Sequence, residues 1–431
     1  MIDICILAGG LGTRSSNPRI PKSLQSVRGA PVLYNQLYEI NKLLVNQKIT
    51  VRIIGGFGFD EINEYVLNIK AEFLNLEIEL LEDKHLTGTL APVIENASRS
   101  CSDYSVIILG DLYIKFDSKT FLNNLYKTLV ADPDLVIYAH PNDHPEDSDL
   151  VDIDPLSGIV SRVFFKNDEI NETKGNMAMA GIFVIKNKQL QYLKPKAGDF
   201  VREYCNYLKN LDKKIYGIIT TDLIADMGTK QRIYKIESAV VTRRICLLSK
   251  PSKTAVFFDL DGTLIQNVEF KKKFSRDLLN SKAFKIVKFC NMQGIPVLII
   301  TNQPGLAKGF FTISNFQEFM RGLQSTLAKL GAHIDDVFVC PHHPEKGWKG
   351  EIFELKINCD CRKPGIKLFT QACEKHNIEL SKSLFLGDSH TDYIAAKAAQ
   401  VEYVDLTSRS FDEIIFKLNS ISNFSDVLRR Y

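Results

Sequence analysis

At 431 residues, with 45% hydrophobic content, 24% charged residues and a formal net charge of +3, the chain can bury two ordinary cores; it has neither a disordered protein's composition nor a nucleic-acid binder's basic excess. The opening Met1-Ile2-Asp3-Ile4-Cys5-Ile6-Leu7 lacks a signal peptide's basic segment, and no run reaches the ~20 apolar residues of a membrane span. A cytoplasmic protein with small-molecule partners, no nucleic acid and no membrane is expected, and nine mostly scattered cysteines fit a reducing compartment.

Residues 2–8 form an apolar run that enters Gly9-Gly10-Leu11-Gly12-Thr13-Arg14, so a buried strand is expected to open into a glycine-rich turn. Glycines there let backbone N–H groups approach phosphate oxygens. The third glycine of a dinucleotide fingerprint is missing. Arg14 stands in its place, and Pro21-Lys22 follows. Two cations beside a glycine loop suit a triphosphate.

The stretch Leu7-Ala8-Gly9-Gly10-Leu11-Gly12-Thr13-Arg14 with Pro21-Lys22 resembles the sugar-phosphate nucleotidylyltransferases. Further matches follow in that family's order: Gly88-Thr89, Leu109-Gly110-Asp111, Asn176 to Gly181, and Asp226-Met227-Gly228-Thr229. The resemblance covers residues 1–235 and implies a Rossmann-like nucleotidyltransferase fold, with a nucleoside triphosphate over Leu7, Ala8, Gly9, Gly10, Gly12, Thr13 and Gly88. Asp111 and Asp226 are oxygen donors suited to Mg²⁺. A helix cap or turn is the bland alternative for Asp111. Arg14 would steady the outer phosphates and Lys22 would bridge phosphates near the reacting centre. Lys166 is read either as a sugar-phosphate ligand or as a solvated surface lysine. The loop departs from the family pattern at Ser15-Ser16, and only six residues separate Arg14 from Pro21-Lys22. Gly55-Gly56-Phe57-Gly58 after another apolar run reads as a turn between strand and helix.

Residues 236–253 are read as a short connector after a helix-like stretch at 230–235, and the second domain as 254–431. Its first strand, Val256-Phe257-Phe258, runs into Asp259-Leu260-Asp261-Gly262-Thr263. A helix is expected near 272–290, then a strand ending in Thr301-Asn302-Gln303, then Cys361-Arg362-Lys363-Pro364, then Leu384-Phe385-Leu386-Gly387-Asp388 with Asp392. Polar groups delivered at the C-terminal ends of three strands fit the crevice of a doubly wound sheet.

This set resembles the haloacid dehalogenase superfamily of phosphotransferases. The resemblance makes Asp259 a nucleophile forming an aspartyl-phosphate and Asp261 its acid and base. Asp388 would complete a Mg²⁺ shell with Asp259 and the Asp261 carbonyl. Thr301 and Lys363 would hold phosphoryl oxygens, with Arg362 and Asn302 toward the substrate. Only 39 residues lie between Asp261 and Thr301 and 24 between Lys363 and Asp388, so no large cap is expected.

Cys340-Pro341-His342-His343-Pro344 and Cys359-Asp360-Cys361 supply soft ligands at a spacing that can close a structural, tetrahedral Zn²⁺ site. With Thr301-Asn302-Gln303-Pro304-Gly305 and the run Cys361 to Gly365, they look like the heptose 1,7-bisphosphate phosphatases and related histidinol-phosphatases, a resemblance that selects His342 over His343. Together the halves imply a bifunctional enzyme of nucleotide-sugar synthesis for surface glycans: heptose 1,7-bisphosphate loses its 7-phosphate, and the heptose 1-phosphate then receives a nucleotidyl group, GMP from GTP by resemblance. The alternatives are a mannose 1-phosphate guanylyltransferase fused to another sugar-bisphosphate or histidinol-phosphate phosphatase, and a fusion in which one domain is a silent nucleotide-binding module. A homo-oligomer is left open.

Overall fold

Two open α/β sheets organise the molecule, and in each the first strand of its stretch of chain lies in the interior. The computed structural model describes residues 2–10, 19–43, 48–84, 88–142, 144–169, 173–241, 252–271 and 273–421. The first sheet has Ile2–Leu7 between Ile49–Gly55 and Tyr104–Leu109, all parallel, with Leu76–Glu82 outside the former and antiparallel Met177–Lys186 outside the latter. Strand order therefore reverses beside Ile2–Leu7, where ligands bind in such sheets. Leu7 is in register with both Leu109 and Ile54, so Ala8-Gly9 and Gly110-Asp111 emerge side by side. Near-continuous apolar strands such as Ile49–Gly55 are buried on both faces, as parallel strands covered by helices must be. Leu33, Leu37 and Ile40 of the helix Val32–Asn41 and Ile62 and Val66 of the helix Phe59–Ile69 belong to the same core.

The second sheet runs Asp336–Cys340, Val297–Asn302, Val256–Phe258, Leu384–Gly387, Glu402–Asp405, all parallel. Phe258 is in register with Ile299 and Leu386, so Asp259, Thr301 and Asp388 leave neighbouring strands at one edge. The helix expected near 272–290 begins later, at Ser281, because the Asn280 side chain accepts from the N–H groups of Lys282 and Ala283 and caps it there. Between Phe258 and Ser281 the described chain holds only a 3₁₀ turn at Arg276–Leu278. Between Lys363 and Asp388 it holds one helix, Lys367–His376, one 3₁₀ turn and the strand Leu384–Gly387. No large cap is present among the described residues.

The compact units do not part at a single point in the chain. One comprises Met1–Tyr138, Met179–Ile218 and Asp222–Cys246, the other Ala139–Ala178, Ile219–Thr221 and Leu247–Tyr431. Strands Leu150–Ile153 and Val160–Phe164 of the 139–178 segment nevertheless continue the first sheet beyond Met177–Lys186, and within the second unit the buried Asp152 carboxylate meets the buried Arg321 guanidinium at 2.7 Å. An unpaired charge at that depth would cost several kcal/mol. The expected connector also begins as helix: Lys230–Val241 is continuous, and Ile236 is buried against Val27, Val32 and Met227 of the first unit. No helix among the described residues is long and apolar enough to cross a membrane.

Candidate active sites

In the first unit, Leu7, Ala8, Gly9, Gly10, Lys22, Gly88 and Asp111 line one cleft. The Gly110 N–H donates to the Leu7 carbonyl at 2.9 Å, an approach so close that a Cβ at Gly110 would strike the Leu7 and Ala8 backbone. Lys22 Nζ lies 2.9 Å from Asp111 Oδ2. Asp226 is brought beside Asp111 by the main chain, since Asp226 is in register with Leu112 and the Met227 N–H donates to the Asp111 carbonyl. Its carboxylate, however, is held by both oxygens to Arg232 at 2.7 and 2.9 Å and accepts from the Gly228 N–H. Gly12, Thr13 and Arg14 lie outside the described residues. Lys166 is exposed, its N–H donating to Asp149, and it is not among the residues lining the cleft.

In the second unit the strand register brings three carboxylates together: one oxygen of each of Asp259, Asp388 and Asp392 lies within 4.8 Å of the others. Lys363 Nζ sits among them, 2.6 Å from Asp259 Oδ1 and 2.6 Å from Asp392 Oδ1. Burial pushes the Asp259 carboxyl up to about 7; Asp392 and Asp261 add to the rise, and Lys363 opposes it. Burial works against the Lys363 charge, yet the two carboxylates outweigh it and raise its pKa. Three acids with one ammonium leave surplus negative charge on hard oxygen donors, a set that fits Mg²⁺.

Asp392, read in the sequence only as a companion of Asp388, is a central member. Its Oδ2 accepts from the Ser389 N–H and hydroxyl, closing a reciprocal cap at the start of the helix His390–Ala399, which leaves Oδ1 for Lys363. The Ser389-x-x-Asp392 spacing was the signal that could have revealed it. Thr301 is buried and takes a hydrogen bond from Gln303 Nε2 at 2.9 Å; that group also donates to Asp261 Oδ2 at 2.8 Å. Asn302, expected toward the substrate, instead has both amide groups on the Lys363 main chain, accepting from its N–H at 2.9 Å and donating to its carbonyl at 3.1 Å. Arg362 Nη1 reaches the His342 carbonyl at 3.4 Å.

Cys340, His342, Cys359 and Cys361 converge, with sulfur–sulfur separations of 3.3 to 3.6 Å and His342 Nδ1 3.2 Å from Cys361 Sγ and 3.7 Å from Cys340 Sγ. Metal–sulfur bonds of ~2.3 Å in a tetrahedron imply ligand edges of roughly 3.7 Å, so this donor set fits zinc. His343 turns elsewhere, packing on the Trp348 ring with centroids 5.2 Å apart.

A family model described as polynucleotide kinase 3 phosphatase matches residues 254–415. The D-glycero-beta-D-manno-heptose-1,7-bisphosphate 7-phosphatase of Rhodopseudomonas palustris is 33% identical over 153 residues, 36% of this chain and 83% of that protein. The corresponding protein of Helicobacter pylori is 32% identical over 149 residues, covering 34% and 80%. The D-glycero-alpha-D-manno-heptose-1,7-bisphosphate 7-phosphatase of Photorhabdus laumondii is 32% identical over 145 residues, covering 34% and 77%. Among solved structures, HddC from Yersinia pseudotuberculosis aligns with 56% of this chain and 100% of its own at 21% identity and a TM-score of 0.46.

Proposed function

The chain belongs, through its C-terminal region, to the D-glycero-D-manno-heptose-1,7-bisphosphate 7-phosphatase family, and from that premise we propose a bifunctional enzyme that removes the 7-phosphate and then transfers GMP from GTP to the resulting heptose 1-phosphate. The observation that carries the phosphatase half is the meeting of Asp259, Asp388, Asp392 and Lys363 at the point where strand order reverses. Asp259 attacks phosphorus, the bond to the sugar oxygen breaks, and Asp261 gives that oxygen a proton; Asp261 then takes a proton from the water that cleaves the aspartyl-phosphate. Lys363 and Thr301 hold the moving phosphoryl oxygens. Mg²⁺, held by Asp259, Asp388 and the Asp261 carbonyl, would neutralise charge on the phosphoryl group. Zn²⁺ on Cys340, His342, Cys359 and Cys361 would tie down the segment that carries Arg362 and Lys363.

In the first unit the glycine turn of residues 9–12, Lys22, Arg14 and Gly88 would bind the triphosphate, with Asp111 and Asp226 as the metal pair. The sugar 1-phosphate oxygen attacks the α-phosphorus and pyrophosphate leaves. A second reading, a silent nucleotide-binding module, is favoured by Lys22 and Arg232 already covering both carboxylates. One assay separates the two: heptose 1,7-bisphosphate is mixed with each nucleoside triphosphate in turn, and phosphate, pyrophosphate and nucleotide sugar are quantified. The proposal expects phosphate in every mixture and pyrophosphate with GTP. Pyrophosphate with CTP, ATP or UTP in place of GTP would refute the base; none with any would favour the silent module.

A further inference from the structure

The loop between the nucleophile strand and the helix Ser281–Gln293 carries a residue that no motif marks. Lys271 is 1% exposed, one of the largest fully buried side chains described, and sits far from any helix or strand of its own. Its Nζ pairs with Asp261 Oδ1, donates to the Val268 carbonyl at 2.8 Å and stands 5.2 Å from the centre of the Phe319 ring. The other oxygen of Asp261 accepts from Gln303 Nε2 at 2.8 Å. Both oxygens of the acid–base carboxylate are thus held, one from each side, although its side chain is still 23% exposed on the open edge of the site.

The bland account is that a buried ammonium needs a counter-ion and Asp261 supplies it. That accounts for Lys271 but not for Asp261, which Gln303 alone would leave free to turn about the bond to its carboxylate. Proton transfer requires the carboxyl to lie within hydrogen-bond reach of the leaving oxygen. Among the described residues no large cap imposes that geometry. Resting on the phosphatase reading above, we propose that Lys271 is a positioning residue: together with Gln303 it aims Asp261 at the leaving oxygen, and the site thereby favours phosphate esters whose leaving group needs a proton.

The consequence is a dependence on the leaving group. A sugar alkoxide departs only as it is protonated, whereas a nitrophenolate departs unaided, so loss of aim should penalise the first far more than the second. The test compares wild type, Lys271→Met, which keeps the stem over Phe319, and Lys271→Arg, which keeps the charge. Each full-length protein is assayed in MgCl₂ with heptose 1,7-bisphosphate and with p-nitrophenyl phosphate. Because Asp261 also serves the water that cleaves the aspartyl-phosphate, a step both esters share, the comparison is read from kcat/KM, which ends at departure of the leaving group: Lys271→Met is expected to lower it about 30-fold or more on the sugar bisphosphate and at most about threefold on p-nitrophenyl phosphate, with partial recovery on the sugar bisphosphate in Lys271→Arg. Equal losses of kcat/KM on both substrates, or no loss on either, would overturn the inference. Should Lys271→Met not fold, as judged by its melting curve, Lys271→Arg alone decides, because an altered fork must still change the ratio of the two rates. A wild-type protein that released phosphate from neither ester would instead bring down the phosphatase reading, and the inference with it.

Discussion

The two crevices share a topology and differ in charge. At the first, each carboxylate comes with its own cation: Asp111 with Lys22 at 2.9 Å and Asp226 with Arg232 at 2.7 Å. At the second, Asp259, Asp388 and Asp392 share the single ammonium of Lys363. Strand order decides where a crevice lies. The local balance of charge decides what it can accept. A balanced crevice has cations to offer a polyanion once its carboxylates turn to a metal, whereas an acid-rich one calls for a divalent ion before a phosphoryl group can approach a carboxylate nucleophile.

The sharpest break between the two is Asp259→Asn, which should lower phosphate release by about a thousandfold or more while pyrophosphate release from supplied sugar 1-phosphate continues; parallel phosphate and pyrophosphate assays check it, and loss of both activities contradicts separate sites. Next in size, Cys359→Ser or prolonged chelation should cut phosphate release roughly tenfold and lower the melting temperature of the second unit by several degrees, because a four-ligand metal contributes folding free energy; an unchanged melt in a protein shown to contain zinc before treatment would count against it. A smaller effect is expected from Arg232→Ala. Uncovering Asp226 should reduce the Mg²⁺ concentration for half-maximal pyrophosphate release by about three- to tenfold, read from a metal titration at fixed triphosphate.

The smallest effect lies away from the carboxylate cluster. Burial would raise the Asp336 carboxyl, but Lys375 and His376, at 2.8 and 2.7 Å, outweigh it and hold it down at about 2. A carboxyl depressed in the folded state contributes stability that is complete above its unfolded value near 4 and lost as pH falls through its folded value. The contribution, on the order of 2 kcal/mol, should therefore fade between about pH 4 and pH 2. Urea midpoints of wild type and Asp336→Asn across that window should converge as pH falls.

Sequence legibility followed backbone function. Strand runs that end in Gly9-Gly10, Gly110-Asp111, Asp259-x-Asp261, Thr301 and Gly387-Asp388 announce both sheets and both crevices, because a buried parallel strand is a nearly continuous apolar run and its end is where polar residues begin. Cys340-x-His342 and Cys359-x-Cys361 were equally readable, since ligand chemistry tolerates few substitutes. Lys271 was not, because a lone lysine in a loop reads as solvated until the fold buries it. Arg232 was hidden for a related reason: its partner lies six residues away across a turn, a separation that no helical or strand period marks. Asn302, set toward the substrate by resemblance, has its amide on the Lys363 backbone, a long-range clamp that the sequence does not mark. The buried pair of Asp152 and Arg321, 169 residues apart, was equally hidden, since neither residue carries a local sign of the other.

Gly262 holds φ at +85°, and a Cβ added there would land on the Asp388 carboxylate. A tight constraint on drift in this half of the gene product thus falls on a residue with no side chain. Acidic neighbours can trade places with other oxygen donors over generations, but a codon change at 262 must displace the Asp388 carboxylate and force an L-residue into a left-handed backbone at once. Lineages that abandon the phosphatase chemistry should lose this glycine as early as they lose the acids around it.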